Sequence, residues 1–108
     1  MECTTRSENG FTIVALSGEV DLHYSPKARE IILKYLGDKD HVLVDLADVS
    51  YIDSSGVASL VEGFQHARTH DLKFALMGVS EAAMQILQLS RLDKVFPIIA
   101  SVADADQL

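Results

Sequence analysis

The stretch VLVDLADVSYIDSSGVASLVEGF, residues 42–64, contains the pattern on which the fold depends. It begins with VLVDL, a nearly continuous apolar run with β-branched residues, which is typical of a strand covered on both faces. It ends with GVASLVEGF, in which apolar residues recur at helical spacing. Asp53, Ser54, Ser55 and Gly56 lie between these two patterns. The stretch therefore predicts a strand and a helix joined by a short polar segment.

The residues before this stretch predict a hairpin and then a helix. Asn9-Gly10 is a strong signal for a tight turn, so we expect two extended pieces around it, the second over residues 11–16. The segment SPKAREIILKYLG, residues 25–37, has apolar residues at helical spacing. It also has a candidate cap, a proline suited to the first turn and a glycine suited to the stop, which are Ser25, Pro26 and Gly37.

The residues after the stretch continue the alternation of strands and helices. The segment LKFALMGV, residues 72–79, predicts another buried strand, and Ser80 is placed to cap the helix that follows. Residues 95–100 predict a last strand at an edge of the sheet, because Pro97 cannot donate a hydrogen bond to a ladder. Residues 101–108 either add a terminal helical turn or fray.

This order of elements predicts a single α/β domain over residues 1–108, with its core at about residues 11–99. The sheet is expected to have four to five strands in a mostly parallel or mixed arrangement, with an N-terminal hairpin and helices alternating with strands. In open sheets of this kind, functional groups gather beyond the carboxyl ends of the strands. Two predicted loops, residues 17–25 and residues 48–56, lie at that edge.

Charge narrows the kinds of partner that the chain can bind. The chain has 108 residues and a formal net charge of −7. Nucleic-acid binding rests on a basic surface, and an anionic membrane surface repels an acidic protein, so neither partner is expected. An acidic domain instead suits a basic patch on another protein. The acidic surface also favours a monomer, although an edge strand at residues 95–100 could pair.

The sequence shows no sign of secretion or of membrane insertion. No apolar run approaches the roughly 18 residues that a spanning helix needs. The N-terminal segment MECTTRSENG lacks the basic and apolar regions of a signal peptide. Cys3 is the only cysteine, which excludes an internal disulfide and a cysteine-based zinc cluster. We therefore expect a cytoplasmic protein.

The segment Asp53-Ser54-Ser55-Gly56 permits two interpretations from the residues alone. One is ordinary capping chemistry, with Ser55 or Ser54 as the cap and Asp53 helping. The other is modification, because one oxygen suffices for a cap and three oxygen-bearing side chains are present. A phosphoryl group on Ser54 would meet free N–H groups at a helix N-terminus. It would add about −1.5 to −2 charges at pH 7, which can act as a local electrostatic switch.

A nucleophilic role for Ser54 would need a base within hydrogen-bond reach. His66 and His70 follow it on the predicted helix, and at about 1.5 Å per residue they lie more than about 10 Å from the start of that helix. Only His23, in the other loop, could approach. The chain also lacks the Gly-x-Ser-x-Gly elbow, a Gly-rich phosphate loop and a dinucleotide fingerprint. We therefore predict that the protein is not an enzyme and needs no cofactor.

The other polar side chains carry weaker signals. The remaining histidines, at positions 41, 66 and 70, show no metal-ligand spacing with nearby acids, so we interpret them as solvated surface residues and expect no metal site. Asp21 and His23 follow the turn at Gly18 and precede a helix. They serve either in loop and capping chemistry or in contact with a partner, and the residues alone leave both possibilities open.

Three segments of the chain resemble a known family. LSGEVDLHYSPKARE (residues 16–30), the opening stretch and ALMGVSEAAMQILQLSRLDKVFPI (residues 75–98) together resemble the STAS domain, in particular the bacterial anti-sigma factor antagonists. The resemblance runs from about residue 11 to residue 99. Its most specific part is Asp45-Leu46 followed by Asp53-Ser54-Ser55-Gly56 and a helical apolar run.

The resemblance implies a small α/β fold and a regulatory role without catalysis. In the family, the unphosphorylated antagonist binds an anti-sigma factor, often a serine kinase, and thereby frees a sigma factor. The kinase phosphorylates the first serine of the motif, here Ser54, and a separate serine phosphatase resets it. By the same carry-over, the partner-binding face would include Asp21, Asp53, Ser55 and Gly56, with His23 beside Asp21.

Two features separate this chain from the better-known antagonists. Val57 stands where many of them carry Leu, and residues 22–24 differ in detail, so the identity of the partner does not carry over. STAS domains also serve outside sigma regulation. The alternative function is therefore a soluble STAS subunit of an ABC-type lipid transporter.

Overall fold

The computed structural model describes all residues from Met1 to Leu108 as a mixed sheet with helices packed against it. Strands and helices alternate in the predicted order. In chain order the elements are β1 (Glu2–Glu8), β2 (Phe11–Val20), α1 (Ser25–Gly37), β3 (His41–Ile52), α2 (Ser54–Thr69), β4 (Phe74–Met77), α3 (Glu81–Leu89) and β5 (Ile98–Ile99). Two 3-10 turns, Leu92–Lys94 and Val102–Gln107, lie on either side of β5.

The five strands lie side by side in chain order, from β1 to β5. β1 runs antiparallel to β2, and every other neighbouring pair is parallel. The hairpin turns at Asn9 and Gly10, whose φ angles are 54° and 83°, as a two-residue turn of type I′ requires. The predicted α/β class, the N-terminal hairpin and the mixed sheet are therefore confirmed.

The two strands that lead to the predicted loops are longer than the sequence indicated. β2 and β3 continue together as far as Val20 and Ile52, so residues 17–20 and 48–52, which were predicted as loops, are paired strands. Their pairing shifts register twice, between Ala15 and Ser17 and between Gly18 and Glu19, and the φ of 78° at Gly18 suits a bulge. The prediction was wrong here because only Val20, Val49 and Ile52 are buried in these segments, and the register shifts break the two-residue alternation that marks a strand.

The last two strands are shorter than predicted. β4 covers only Phe74–Met77, and β5 pairs with it through Ile98 and Ile99 alone. Residues 95–97, which were predicted as part of the last strand, follow the 3-10 turn Leu92–Lys94 and lie outside β5. β5 does lie at an edge of the sheet, as the proline predicted. The C-terminal residues form a 3-10 turn rather than fraying.

The core lies on both faces of the sheet. Helices α1, α2 and α3 cover one face, where they pack on a cluster that includes Val42, Val44 and Leu46 of the central strand. The C-terminal 3-10 turn covers part of the other face, where Ala105 packs in a cluster with Leu43. Burial on both faces explains the continuous apolar run of β3. None of the helices combines the length and apolarity needed to cross a membrane.

Candidate functional site

The two predicted loops meet at the carboxyl edge of the sheet. β2 and β3 are parallel neighbours, and their last residues, Val20 and Ile52, pair with each other. Asp53 therefore lies beside the chain that leaves β2. Its backbone N–H donates to the carbonyl of Val20 (3.3 Å), and its Oδ2 accepts from the N–H of Leu22 (3.1 Å). These hydrogen bonds join residues far apart in the sequence into one site.

Asp53 is the N-cap of α2. Its backbone is extended, with φ −106° and ψ −174°. Oδ1 accepts from the backbone N–H groups of Ser55 (2.9 Å) and Gly56 (3.2 Å), and from the hydroxyl of Ser55 (2.5 Å). The expectation that Ser55 or Ser54 caps the helix is therefore wrong. Both serines are already helical, and the residue before them has the extended conformation that an N-cap needs.

The hydrogen bonds of this cap keep Asp53 ionised. The Ser55 hydroxyl is the largest cause of a lowered pKa for the Asp53 carboxyl, and the backbone N–H groups of Gly56, Ser55 and Leu22 lower that pKa further. Desolvation acts in the opposite direction but does not prevail. The carboxylate also lies at the positive end of the α2 dipole. The site therefore carries a fixed negative charge at neutral pH.

Asp53→Asn is expected to destabilise the protein by about 1 kcal/mol at neutral pH. The single oxygen of the amide cannot accept both from the N–H of Leu22 and from the N–H groups at the start of α2. The folded-state pKa of Asp53 lies below its ordinary value of 3.8. The stability that comes from the ionised carboxylate is present above the unfolded-state pKa and is lost as pH falls through the folded-state pKa. Chemical unfolding at a series of pH values should therefore show the difference from wild type narrowing in acid.

Asp48→Asn is the control for this comparison. Asp48 is an exposed carboxylate on β3 whose side chain makes no hydrogen bond in the structure. We expect its replacement to leave the unfolding free energy within about 0.5 kcal/mol of wild type. A difference between Asp53→Asn and wild type that stays constant into strong acid would contradict the role assigned to the carboxylate.

The two serines of the motif have different environments. The Ser54 side chain is exposed and its hydroxyl makes no hydrogen bond within the protein. The Ser55 side chain is half-buried and its hydroxyl donates to Asp53. Ser54 therefore offers a free, accessible oxygen at the start of α2, whereas the oxygen of Ser55 belongs to the cap.

Gly56 is buried where the first turn of α2 crosses the ends of β2 and β3. A Cβ atom at this position would lie 2.6 Å from the carbonyl oxygen of Val20 and 2.7 Å from Cγ1 of Ile52. No other residue type fits without displacing backbone. Gly56 therefore sets how closely α2, and with it Ser54, approaches the loop after β2.

Asp21 organises that loop. Its carboxylate accepts from the N–H groups of His23 (3.0 Å) and Tyr24 (3.2 Å), and its carbonyl accepts from the N–H groups of Tyr24 (3.1 Å) and Ser25 (2.7 Å). The prediction that Ser25 caps α1 is wrong, because Ser25 is buried within the helix and makes no capping hydrogen bond. Asp21 is half-buried, whereas His23 is exposed and packs edge-on against Tyr24 at 4.7 Å.

Exposed apolar side chains border the site. Leu22 is 74% exposed, and Tyr51, the second-last residue of β3, is 51% exposed. Tyr24 is exposed as well. These residues were not predicted from the sequence as part of the site. The sequence did contain a signal for Leu22. An apolar residue in a polar loop has no core to pack into, which favours an exposed contact residue.

The structure brings together all six residues that were selected from the sequence: Asp21, His23, Asp53, Ser54, Ser55 and Gly56. His66 and His70 lie in the last turn of α2 and at its C-cap, far from Ser54. No group of three or more His, Cys, Asp or Glu side chains is arranged to hold a metal ion. The arrangement presents a hydroxyl, a carboxylate and apolar side chains at one edge of the sheet, which suits contact with another protein.

Comparisons with known proteins agree with this fold. A family model described as the STAS domain matches residues 2–105. The anti-sigma-B factor antagonist of Listeria monocytogenes is 29% identical over 86 residues, which cover 79% of this chain and 75% of the relative. Two solved structures show the same fold. An anti-sigma factor antagonist from Mycobacterium paratuberculosis has a TM-score of 0.84 at 23% identity, covering 98% of this chain and 91% of its own. The Bacillus cell fate determinant SpoIIAA in its phosphorylated form has a TM-score of 0.75 at 18% identity, and the match covers 98% of this chain and 97% of SpoIIAA.

Proposed function

The chain belongs to the STAS domain family, and from that premise we propose that it is an anti-sigma factor antagonist, a protein-binding switch controlled at Ser54. The observation that carries the proposal is the difference between the two serines. The hydroxyl of Ser54 is exposed and free, whereas that of Ser55 is committed to the cap at Asp53. The relative from Listeria monocytogenes is named an anti-sigma-B factor antagonist, which supports the same role.

In the unphosphorylated state, the protein binds an anti-sigma factor through the face around Ser54. This face consists of the six residues Asp21, His23, Asp53, Ser54, Ser55 and Gly56, together with the exposed apolar side chains of Leu22, Tyr24 and Tyr51. The apolar side chains supply contact area, and the acidic charge of the protein favours a basic patch on the partner. Binding to the anti-sigma factor releases the sigma factor that it had held.

Phosphorylation ends this interaction. A serine kinase, which is the anti-sigma factor itself in our proposal, transfers the γ-phosphoryl group of ATP to Ser54 Oγ. The hydroxyl loses its proton and ADP leaves. The phosphoryl group adds about −1.5 to −2 charges next to the ionised Asp53. Desolvation of this charge in the interface opposes rebinding until a serine phosphatase removes the group.

In this function, residues 1–108 form one domain that acts as a monomer in the cytoplasm. It acts by binding rather than by catalysis, and needs no cofactor of its own. Charge supports the monomer, since the net charge of −7 makes self-association unfavourable. Contact with nucleic acid or direct membrane insertion has no place in the proposed mechanism.

Release of a sigma factor from a purified complex with its anti-sigma factor tests the function. Addition of the dephosphorylated protein should shift the anti-sigma factor into a new complex on size-exclusion chromatography and leave the sigma factor free. Ser54→Asp should fail to do so. If the protein instead co-purifies with a permease and an ATPase, and no anti-sigma factor binds it, the transporter alternative replaces this proposal.

Leu22→Ala is expected to weaken binding to the anti-sigma factor about 10-fold without loss of stability. Leu22 exposes 74% of its surface next to Asp53, so its burial by a partner would contribute about 1–2 kcal/mol. Affinity can be measured by titration calorimetry and stability by chemical unfolding.

Leu89→Ala is the matched control for that change. Leu89 is 82% exposed and lies at the C-terminal end of α3, whereas the N-terminal end of α3 follows the carboxyl end of β4. It is therefore at the opposite end of the sheet from Ser54. Equal losses of affinity in Leu22→Ala and Leu89→Ala would show that the binding face lies elsewhere.

A further inference from the structure

We propose that His66 and His70 form a binding site for a divalent transition-metal ion at the C-terminal end of α2. His66 lies in the last turn of the helix and His70 caps it. Their imidazole rings are stacked, with centroids 4.2 Å apart and planes inclined by 21°. Residues four apart share one face of a helix, and two histidines at this spacing are a common pair of metal ligands. The stacked pair thus replaces the expectation from the sequence that these histidines are only solvated surface residues.

The hydrogen bond of His70 determines which of its nitrogens is free. Its Nδ1 lies 2.9 Å from the carbonyl oxygen of His66. A carbonyl oxygen can only accept, so Nδ1 donates, and in the neutral imidazole the lone pair is then on Nε2. Metal-binding histidines are held in the same way, with the second ring nitrogen donating to a carbonyl or carboxylate oxygen. In its neutral form His70 therefore has the tautomer that can bind a metal through Nε2.

The stacked rings must turn toward a common point to form a two-nitrogen site. Zn–N distances of about 2.0–2.1 Å at a tetrahedral ion place two ligand nitrogens about 3.4 Å apart. The ring centroids are 4.2 Å apart, and neither side chain is fully buried. Their side-chain torsions are free to turn at the surface, and this rotation is the change by which both Nε2 atoms would reach one ion. Water completes the coordination, because no third His, Cys, Asp or Glu joins the pair.

The two imidazoles select the class of ion. Imidazole nitrogen suits Zn²⁺, Ni²⁺ and Cu²⁺, with Cu²⁺ bound most tightly, whereas Mg²⁺ and Ca²⁺ prefer oxygen ligands. His66 and His70 follow Ser54 by 12 and 16 residues, so the site lies about 18–24 Å along the helix from Ser54. A metal at this site would link the last turn of α2 to its cap and favour the folded state in proportion to its concentration. It would not require partner binding at Ser54.

Titration of the intact, ¹⁵N-labelled protein with Zn²⁺ tests the site by NMR of the imidazole nitrogens. We expect the Nε2 resonances of His66 and His70 to shift together and to saturate at one ion per chain, while Nδ1 of His70 stays protonated. Mg²⁺ should produce no shift. His66→Gln and His70→Gln should each lower the affinity for Zn²⁺ about 10-fold or more, and His23→Gln should leave it unchanged.

The variants separate this site from adventitious binding. All three replaced side chains are at least partly exposed, and circular dichroism checks that the variants fold. Unchanged Zn²⁺ affinity in either His66→Gln or His70→Gln overturns the two-imidazole site. Zn²⁺ shifts at His23 or His41 with none at His66 and His70 also overturn it, and show surface binding only.

Discussion

Phosphorylation of Ser54 is expected to lower the affinity of the protein for its anti-sigma factor by at least about 100-fold. Such a loss corresponds to about 2.7 kcal/mol. It is within the range caused by a charge that is buried without a partner in a protein interface. The ionised Asp53 and the acidic chain increase the cost, because they provide no counter-charge. Titration calorimetry with the phosphorylated and unphosphorylated proteins measures the difference.

Two serine variants locate the effect. Ser54→Ala should bind the anti-sigma factor, take up no phosphate from the kinase and ATP, and remain bound in their presence. Ser55→Ala should still be phosphorylated once, although loss of the hydroxyl bond to Asp53 should cost about 1 kcal/mol of stability. Mass spectrometry counts the phosphate. Phosphate on Ser54→Ala would refute the site, and unchanged affinity after phosphorylation of wild type would refute the switch.

Most of the fold could be predicted from the sequence because local signals and packing agree. Asn9-Gly10 places the hairpin, and the run at residues 42–46 identifies the central strand. The ends of β2 and β3 could not be predicted in the same way. Residues 17–20 and 48–52 are strands because they pair with each other across the sheet, and a contact between distant segments leaves only a weak local pattern.

The location of the site could be predicted from the sequence, whereas the residue that caps α2 could not. The order of strands and helices placed both loops at one edge, and the structure has them there. The cap was misassigned because Asp, Ser and Thr are all good caps, and only the backbone conformation decides among adjacent ones. Asp53 is extended and the serines are helical. The roles of Leu22 and Tyr51 depend on exposure, which follows from the tertiary structure.

Gly56→Ala is expected to destabilise the protein by about 2–3 kcal/mol, which is a large part of the stability of a small domain. Alanine favours a helix by about 1 kcal/mol over glycine, so helix propensity alone predicts the opposite sign. The added Cβ would lie 2.6 Å from the carbonyl oxygen of Val20. That oxygen also accepts from the N–H of Asp53, so it cannot move without weakening the junction between the loops. Chemical unfolding measures the change.

The two other helical glycines, Gly63 and Gly37, are controls for the steric effect expected at Gly56. At Gly63 a Cβ would meet the ends of side chains, Ile32 Cγ2 at 2.8 Å and Phe74 Cε2 at 3.1 Å, which can shift, so Gly63→Ala should cost less. At Gly37 nothing lies within 4 Å, so Gly37→Ala should be neutral or stabilising by up to about 1 kcal/mol. If all three variants followed helix propensity, the close approach of α2 to β2 would be wrong. If the loss of stability instead decreases from Gly56→Ala to Gly63→Ala to Gly37→Ala, Gly56→Ala should also weaken binding to the anti-sigma factor. Displacement of α2 would move Ser54 away from the Asp21 loop, with which it forms the binding face.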